Sequence, residues 1–368
     1  MMKHIFYAFL AAASLCACNN IQPSLKPAQL SIGANLKNPV GMNLEDSSLS
    51  WQIPFGANVS QSAYRIQVFS GDKIVADSGK VASGASVRVA NPLKNIGSRQ
   101  KFSWRVKIWD ANGAESPWSD SAIFEAGLLQ NSDWRAKWIS SPDAPRPLYK
   151  TPQKAVQIYG ENRMGYPPTL LRKSFDARKA VSSARLYVAS KGIFNVALNG
   201  EKIGKDFWGT GWTDPAKRVQ SNTYDVTALV REGKNVLSAI IADGWYSGRI
   251  RRDAKFVKPE FIAQLEITFA DGTTQIVATD ATWKASSGGA LYADIYDGES
   301  YDAALEPQNW RLPPFDDSAW RAAAAMTRAF ELPTEQIASP LPDLFLRIRS
   351  EKKDTADSMA TASLSVNL

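Results

Sequence analysis

Short runs of alternating apolar and polar residues dominate the first third of the chain. Large apolar side chains recur two residues apart in the segments 49–51, 64–68, 87–89 and 102–108. Turn-forming pairs such as Asn112 and Gly113 separate these segments. About seven short strands in roughly 95 residues are typical of an immunoglobulin or fibronectin type III-like sandwich. We therefore predict such a domain over residues 30–128.

The same period of two returns after a proline-rich stretch and predicts a second β-sandwich over residues 129–332. Its clearest predicted strands are 170–175, 184–189, 194–198, 235–242, 261–269 and 274–277. The pair Asn199 and Gly200 is a strong signal for a two-residue hairpin. Segment 235–242 is apolar on both faces, as expected for a buried strand. Because helical periodicity nowhere extends beyond a couple of turns, the predicted fold class is all-β.

The two ends of the chain differ from this pattern. Lys3 and His4 precede an apolar run that is long enough for a signal-peptide core but too short for a membrane span. The residues around Cys18 resemble a bacterial lipobox, which predicts a signal peptide over 1–17, acylation of Cys18 and a lipidated linker over 18–29. The alternative is an ordinary secretory signal. Residues 333–368 are predicted to be an irregular tail with one candidate strand at 340–349, because residues 351–368 are polar and rich in Ser, Ala and Thr.

The amino-acid composition limits the kinds of catalytic and metal sites that the protein can contain. The 368 residues are enough for two or more domains and contain one histidine, His4, and two cysteines, Cys16 and Cys18. Removal of the signal peptide and acylation of Cys18 would leave neither imidazole nor free thiol, which excludes Ser-His-Asp and Cys-His catalysis, Cys/His zinc sites and disulfides. The side chains that remain for chemistry are carboxylates, Tyr, Ser, Thr, Lys and Arg, which favour calcium and sugars as partners. The residues that give the net charge of +7 are scattered along the chain, so we predict that the protein does not bind nucleic acid. The signal peptide predicts an exported protein of the periplasm, outer membrane or cell surface.

Aromatic residues cluster with glycine and aspartate in two loops, 206–214 and 243–248. Two interpretations are open: the rings fill corners of the core, or they form apolar platforms for a sugar. In the second case Asp214 or Asp243 would accept hydrogen bonds from sugar hydroxyls. The candidate stacking residues are Trp208, Trp212, Trp245 and Tyr246, and we favour Trp245 or Tyr246 over Trp212.

A third group of candidates is the acidic run Asp294, Asp297, Glu299 and Asp302. Glycoside hydrolysis requires two carboxyl groups about 5 to 9.5 Å apart across the scissile bond. On a strand, Asp294 and Asp297 would fall on opposite faces, which argues against catalysis. A calcium loop is the alternative. We favour a structural role in capping turns and fixing the loop at Gly298.

The residues 209–220, 243–248 and 293–302 together resemble the N-terminal, non-catalytic part of bacterial α-L-rhamnosidases. The resemblance implies a fibronectin-like domain and a jelly-roll-like sandwich that support or feed a helical barrel carrying the catalytic carboxylates. The family releases terminal L-rhamnose from α-linked glycosides. We expect no such barrel in these 368 residues, which leaves enzymatic activity undecided and favours a scaffold or a carbohydrate-binding module. On this interpretation the tail is a truncated or frameshifted end.

The resemblance also implies a calcium site. In some members an adjacent Asp-Asn pair holds rhamnose through calcium, and here Glu161 and Asn162 occupy those positions. A solvated loop is the alternative interpretation. The expected partners are rhamnose-containing glycans or a downstream catalytic domain, with the membrane reached through the lipid anchor. Two further hypotheses are a free-standing surface lipoprotein that binds such glycans and a structural or adhesin module.

Overall fold

The computed structural model describes residues 25–53, 60–147, 164–214, 217–250 and 257–326, and the short strands 335–337, 346–350 and 362–366. Within these residues the fold is all-β, as predicted. The only helical segments in this part of the chain are single 3-10 turns at Asn131–Asp133, Thr227–Leu229, Gly248–Ile250 and Ala303–Leu305. Accordingly, no helix among the described residues has the length and hydropathy needed to cross a membrane.

The first domain is an immunoglobulin-like sandwich. Its strands are β1 (Ala28–Ile32), β2 (Val40–Met42), β3 (Leu49–Gln52), β4 (Gln61–Ser70), β5 (Lys73–Asp77), β6 (Val81–Ala82), β7 (Lys101–Asp110) and β8 (Ala122–Ala126). One sheet has the order β2-β8-β7-β4-β5, with β6 also paired to β4, and the other pairs β1 with β3. Phe102, Trp104, Val106 and Ile108 alternate along β7 and are all buried in the core between the sheets.

One predicted strand of this domain was wrong. Residues 87–89 form only a single bridge, between Val89 and Leu49, and the side chain of Val87 is exposed. The cause is the backbone of Arg88, whose φ of 52° lies in the left-handed region and interrupts an extended strand.

The second domain is a larger sandwich of two sheets. Its strands are β9 (Ile139–Ser140), β10 (Arg146–Pro147), β11 (Met164–Gly165), β12 (Thr169–Ala177), β13 (Val181–Lys191), β14 (Ile193–Leu198), β15 (Glu201–Lys202), β16 (Gln220–Asp225), β17 (Gly233–Ala242), β18 (Glu260–Phe269), β19 (Thr274–Ala278), β20 (Lys284–Ser287), β21 (Ala290–Asp294), β22 (Gly298–Tyr301), β23 (Arg321–Ala322) and β24 (Ala324–Ala325). We call the sheet β15-β14-β17-β12-β20-β23 the front sheet. The back sheet has the order β24-β9-β18-β13-β16-β25, with β19 paired to β18; β25 is Glu335–Ile337.

The main core of this domain lies between the two sheets, and the alternation of β18 explains how. Phe261, Ala263 and Leu265 point into that core. Ile262, on the opposite face, packs with Trp134 in a second apolar cluster on the outside of the back sheet. The back sheet is therefore buried on both faces.

Two further sequence predictions can be compared with the structure. The hairpin at Asn199 and Gly200 is confirmed: it joins β14 to β15, and both residues have positive φ, 53° and 86°. Within 333–368 the structure has three strands: β25; β26 (Leu346–Ser350), which overlaps the candidate strand at 340–349; and β27 (Ala362–Val366), which pairs antiparallel with β26. Both paired segments alternate apolar and polar residues, a period that favours strands over coil.

Charged side chains join the two domains. The Arg185 guanidinium of β13 donates two hydrogen bonds of 2.8 Å to the carboxylate of Glu125 in β8. Arg99 of the first domain donates to Glu266 of β18 at 2.7 Å and to Asp133 of the connecting segment at 2.9 Å. Both contacts lie on the side of the back sheet that faces away from the front sheet.

Candidate binding site

A cavity of about 570 Å³ lies on the outer face of the front sheet. Its floor is apolar and is formed by alternate residues whose neighbours point into the core. These outward residues are Leu170 of β12, Ile193 of β14, and Ile240 and Ala242 of β17. The adjacent Leu171, Phe194 and Ile241 belong to the main core. Strand β17 is apolar on both faces because one face packs in the core, through Ile241, and the other lines the cavity, through Ile240 and Ala242.

The wall on one side is the loop that begins with Phe207 and Trp208. The Phe207 side chain is 88% exposed and the Trp208 side chain 47%, and both line the cavity. The next residue, Gly209, donates its N–H to the carbonyl oxygen of Phe194 at 3.0 Å. A Cβ atom at position 209 would lie 2.2 Å from the Phe194 ring. Glycine therefore lets this loop lie directly on the sheet and lift Trp208 to the rim.

Another part of the lining comes from the hairpin of β21 and β22 together with the segment that follows it. It contributes polar groups that the loop and floor do not, namely Glu299, Glu306 and Arg311, and the ring of Tyr301. Asn195 of β14 adds an amide. The cavity thus combines an apolar floor, aromatic edges and a few polar groups, which is the usual composition of a small-molecule site.

Two of the acidic groups in this wall are held by the protein itself. The carboxylate of Glu306 accepts hydrogen bonds from the Gly289 N–H at 2.8 Å and from the Trp310 indole N–H at 3.0 Å. Asp294 accepts the N–H of Tyr296 at 2.9 Å. Near them, burial lowers the pKa of Arg311, although the neighbouring Glu306 acts in the opposite direction.

Two more residues of the acidic run, Asp297 and Asp302, have structural contacts, whereas Glu299 is exposed and lines the cavity. Asp297 lies in the turn between β21 and β22 and accepts the Tyr292 hydroxyl at 2.9 Å. Asp302 accepts the N–H of Ala304 and caps a 3-10 turn. The expectation that Asp294 and Asp297 share one strand was wrong, since a turn separates them.

The tryptophans of the two predicted loops come together beside the cavity. The rings of Trp208 and Trp245 meet edge to face, with centroids 5.7 Å apart. Those of Trp212 and Trp245 stack almost in parallel, with centroids 5.1 Å apart and planes 8° apart. Trp212 is 69% exposed, so neither it nor Trp208 fills a corner of the core. We call these three residues the tryptophan cluster.

The other predicted site residues lie outside the cavity lining. Asp243 is buried, and its carbonyl oxygen accepts the N–H groups of Tyr246 and Ser247 in a turn. Tyr246 borders a separate, very small recess. Asp214 is exposed and lies 3.9 Å from the ammonium group of Lys217. Of the aromatic candidates, Trp208 is the one that lines the cavity, while the favoured Trp245 supports it from behind.

The predicted calcium and lipid sites cannot be placed. Glu161 and Asn162 lie outside the described residues, as does Cys18. In the part of the chain that the structure does describe, no group of three or more His, Cys, Asp or Glu side chains is arranged to hold a metal ion.

Comparison with known proteins assigns both domains. Residues 27–130 match the Rha78A-like N-terminal immunoglobulin domain family, and residues 179–342 match the α-L-rhamnosidase N-terminal domain family. An α-L-rhamnosidase of Alteromonas sp. (strain LOR) is 41% identical over 335 residues, which are 87% of this chain and 35% of that protein. An α-L-rhamnosidase of Formosa agariphila is 38% identical over 324 residues, 85% of this chain and 34% of its own length.

Solved structures agree with these relatives. The crystal structure of a Streptomyces avermitilis α-L-rhamnosidase in complex with L-rhamnose superposes with a TM-score of 0.75 at 25% identity, covering 88% of this chain and 47% of that one. An Aspergillus terreus α-L-rhamnosidase gives a TM-score of 0.70 at 27% identity, covering 82% and 34%. The chain spans about a third of the length of the curated relatives it matches. The chain belongs to the α-L-rhamnosidase family and corresponds to the N-terminal region of its members.

Proposed function

We propose that this region is a carbohydrate-binding accessory module of an α-L-rhamnosidase-family protein, and that the cavity on the front sheet holds the terminal sugar of its ligand. The observation that carries the proposal is the cavity itself, whose lining combines the exposed ring of Trp208 and an apolar floor with Glu299 and Arg311. A pyranose ring has an apolar face that packs on aromatic rings and hydroxyl groups that require polar partners.

L-rhamnose is the ligand we propose. The family relationship favours it, and so does the Streptomyces avermitilis relative, whose crystal structure contains L-rhamnose. The apolar floor suits a deoxy sugar, because the methyl group that replaces a hydroxymethyl group gains by leaving water. Leu170, Ile193 and Ile240 would surround that methyl group.

The acidic groups of the cavity support binding over cleavage. Both oxygens of Glu306 are engaged by the protein, and Asp294 accepts a main-chain N–H, so these two carboxylates have structural roles. Glycoside hydrolysis needs one carboxyl group to donate a proton and a second to act on the opposite face of the sugar. We therefore expect the purified chain to release no product from an aryl α-L-rhamnoside above a buffer blank.

Calorimetry with L-rhamnose tests the proposal. We expect the wild-type chain to bind and Trp208→Ala to lose most of the affinity, because the rim ring would be removed while the floor stays intact. Trp118→Ala, which changes a half-buried tryptophan of the first domain, is the matched control and should bind normally. An absence of binding heat for the wild type, with and without calcium, would refute the proposal.

Calcium at Glu161 and Asn162 is a separate part of the proposal. It predicts that a chelator weakens rhamnose binding, that added calcium restores it, and that Glu161→Ala has the same effect as the chelator. If the affinity for rhamnose is unchanged in the presence of chelator, calcium has no part in binding, and the proposal that the cavity holds the sugar still stands.

A scaffold role for the first domain is the second candidate function, and the ion-paired contacts between the domains favour it. Arg185 and Arg99 each join the two sandwiches through carboxylates, which would fix the module relative to a downstream catalytic domain. We also propose export and a lipid anchor at Cys18, which mass spectrometry of the mature N-terminus would test. Binding of rhamnose-containing glycans by an isolated surface lipoprotein would use the same cavity, whereas a purely structural or adhesin module would show no rhamnose binding.

A further inference from the structure

The tryptophan cluster extends beyond the cavity. Trp208 lines the cavity, Trp245 lies against Trp208, and Trp212 stacks on Trp245. The three rings therefore form a continuous aromatic surface that leads from the rim of the cavity outward. A single sugar held in the cavity would reach the first of these rings, which leaves the function of Trp212 to be explained.

Trp212 presents one face to solvent. Its other face is covered by Trp245, because the two rings lie almost parallel at 5.1 Å. Since the residue is nevertheless 69% exposed, the exposure belongs largely to the face turned away from Trp245. Trp208 is also exposed and contacts the same Trp245 ring, so the tryptophan cluster is an exposed aromatic patch, a feature that marks binding surfaces on soluble domains.

The backbone that carries Trp212 is held in place by buried polar contacts. Thr210 has a φ of 74°, a strained value for a β-branched residue. Its hydroxyl oxygen accepts the N–H of Ser190 at 3.1 Å, and its own N–H donates to the amide oxygen of Asn222 at 3.4 Å. Strained backbone of this kind persists where the surrounding structure fixes it, and it concentrates at functional sites. The loop therefore presents Trp212 in a fixed orientation before any ligand arrives.

Polar groups lie close by in sequence. Asp214, two residues from Trp212, has a largely exposed side chain and lies 3.9 Å from the ammonium group of Lys217. Both side chains are exposed and belong to the segment that follows Trp212, where they supply a carboxylate acceptor and an ammonium donor for sugar hydroxyl groups.

We infer that the outer face of Trp212 is a second saccharide subsite, so that the ligand is an oligosaccharide whose terminal sugar enters the cavity and whose next sugar stacks on Trp212. This inference rests on the proposed function, because it assumes that the cavity holds the terminal sugar. It assigns the module to polysaccharide or oligosaccharide chains rather than to free monosaccharide.

Calorimetry of the full chain with methyl α-L-rhamnoside and with α-linked rhamnose disaccharide and trisaccharide tests the inference. We expect the disaccharide to bind about 3- to 10-fold more tightly than the monosaccharide, the gain expected from one aromatic contact. In Trp212→Ala this gain disappears while monosaccharide affinity stays at the wild-type value. Trp212→Phe, which keeps a smaller ring, should retain part of the gain.

The possible failures are distinguishable. Equal affinities of the wild type for monosaccharide and disaccharide would overturn the second subsite and leave the cavity proposal intact. Loss of monosaccharide binding in both Trp212 variants would also overturn it, since Trp212 would then support the cavity and not a separate sugar. If the wild type binds none of the three ligands, the proposed function fails, and the second subsite fails with it.

Discussion

The two sheets of the second sandwich share one core but differ in what covers their outer faces. On the back sheet, Ile262 and Tyr187 pack beneath Trp134 and Trp138, and Arg99 and Arg185 join the surface to the first domain. On the front sheet, Leu170, Ile193 and Ile240 instead form the floor of a cavity. Both faces contain apolar residues. The protein covers the outer face of the back sheet, whereas on the front sheet Trp310, Trp320 and Phe315 cover only part of the outer face and the cavity lies in the rest.

Because of this difference, we expect residues on the two outer faces to contribute to different properties, those of the back sheet to stability and those of the front sheet to binding. Residues on the outer face of the back sheet should contribute mainly to the free energy of unfolding, because other parts of the chain already cover them. Residues of the tryptophan cluster on the front side should contribute little to stability and much to ligand affinity. The same kind of substitution on the two sides should therefore have opposite consequences.

The largest effect is expected from tryptophan substitutions on the two sides. Trp134 is 7% exposed and meets the Tyr187 ring edge to face at 6.4 Å, so Trp134→Ala should lower the free energy of unfolding by about 3–5 kcal/mol. Trp212→Ala removes a ring that is mostly in water and should change that free energy by no more than about 0.5 kcal/mol. Urea denaturation measures both. Similar losses in the two variants would contradict the comparison.

Much of the fold could be predicted from the sequence because alternation determines which face of a strand is buried. Segments such as β7 and β18 are long enough for the period of two to be unambiguous. The prediction failed at 87–89, where the positive φ of Arg88 depends on its surroundings and leaves no signal in composition. In the tail it missed β27, because the polar composition of residues 351–368 concealed a short alternating segment.

The site was predictable only in part. The aromatic loops could be identified because tryptophan and glycine are dense in them, and the structure does bring Trp208, Trp212 and Trp245 together. Glu299 and Arg311 could not be identified from the sequence. They lie on a hairpin and on a later segment, and whether these come close to β14 and β17 depends on the order of strands in the sheet. Asp243 lies in a buried turn outside the cavity lining, a position that follows from the fold of its loop, and its role as a sugar acceptor stays a prediction.

An intermediate effect is expected at the contact between Arg185 and Glu125. Both side chains are largely buried and joined by two hydrogen bonds, so Arg185→Ala should lower the free energy of unfolding by about 1.5–3 kcal/mol. Lys179→Ala removes an exposed pair with Asp271 and is the matched control, with an expected loss of at most about 1 kcal/mol. Chemical denaturation of both variants gives the comparison.

A double-mutant cycle sharpens this test. If Arg185 and Glu125 act as one contact between the domains, Glu125→Ala combined with Arg185→Ala should cost less than the sum of the two single substitutions. Additive losses would show that the pair does not hold the domains together. Neither substitution should alter rhamnose affinity, because both residues lie on the opposite side of the sandwich from the cavity.

The smallest effect concerns pH and the contact of Arg99 with Asp133 and Glu266. Burial alone would raise the pKa of Asp133, but hydrogen bonds from Ser98, the Gln130 N–H and Arg99 outweigh it and lower the pKa below its usual value. A lowered folded-state pKa means that the stabilisation is fully present above the unfolded value of about 3.9 and is lost as the pH falls through the folded value.

Arg99 is more than a third exposed, so water and salt screen its pairs, and Arg99→Ala should cost at most about 1 kcal/mol at neutral pH. The difference between wild type and variant should shrink as the pH falls below about 4, and also as salt is raised at neutral pH. Denaturation curves at several pH values and salt concentrations measure it. A difference that stays constant across both series would mean that Arg99 contributes through packing of its stem, and Arg185 with Glu125 would then be the ion pair that joins this face to the first domain.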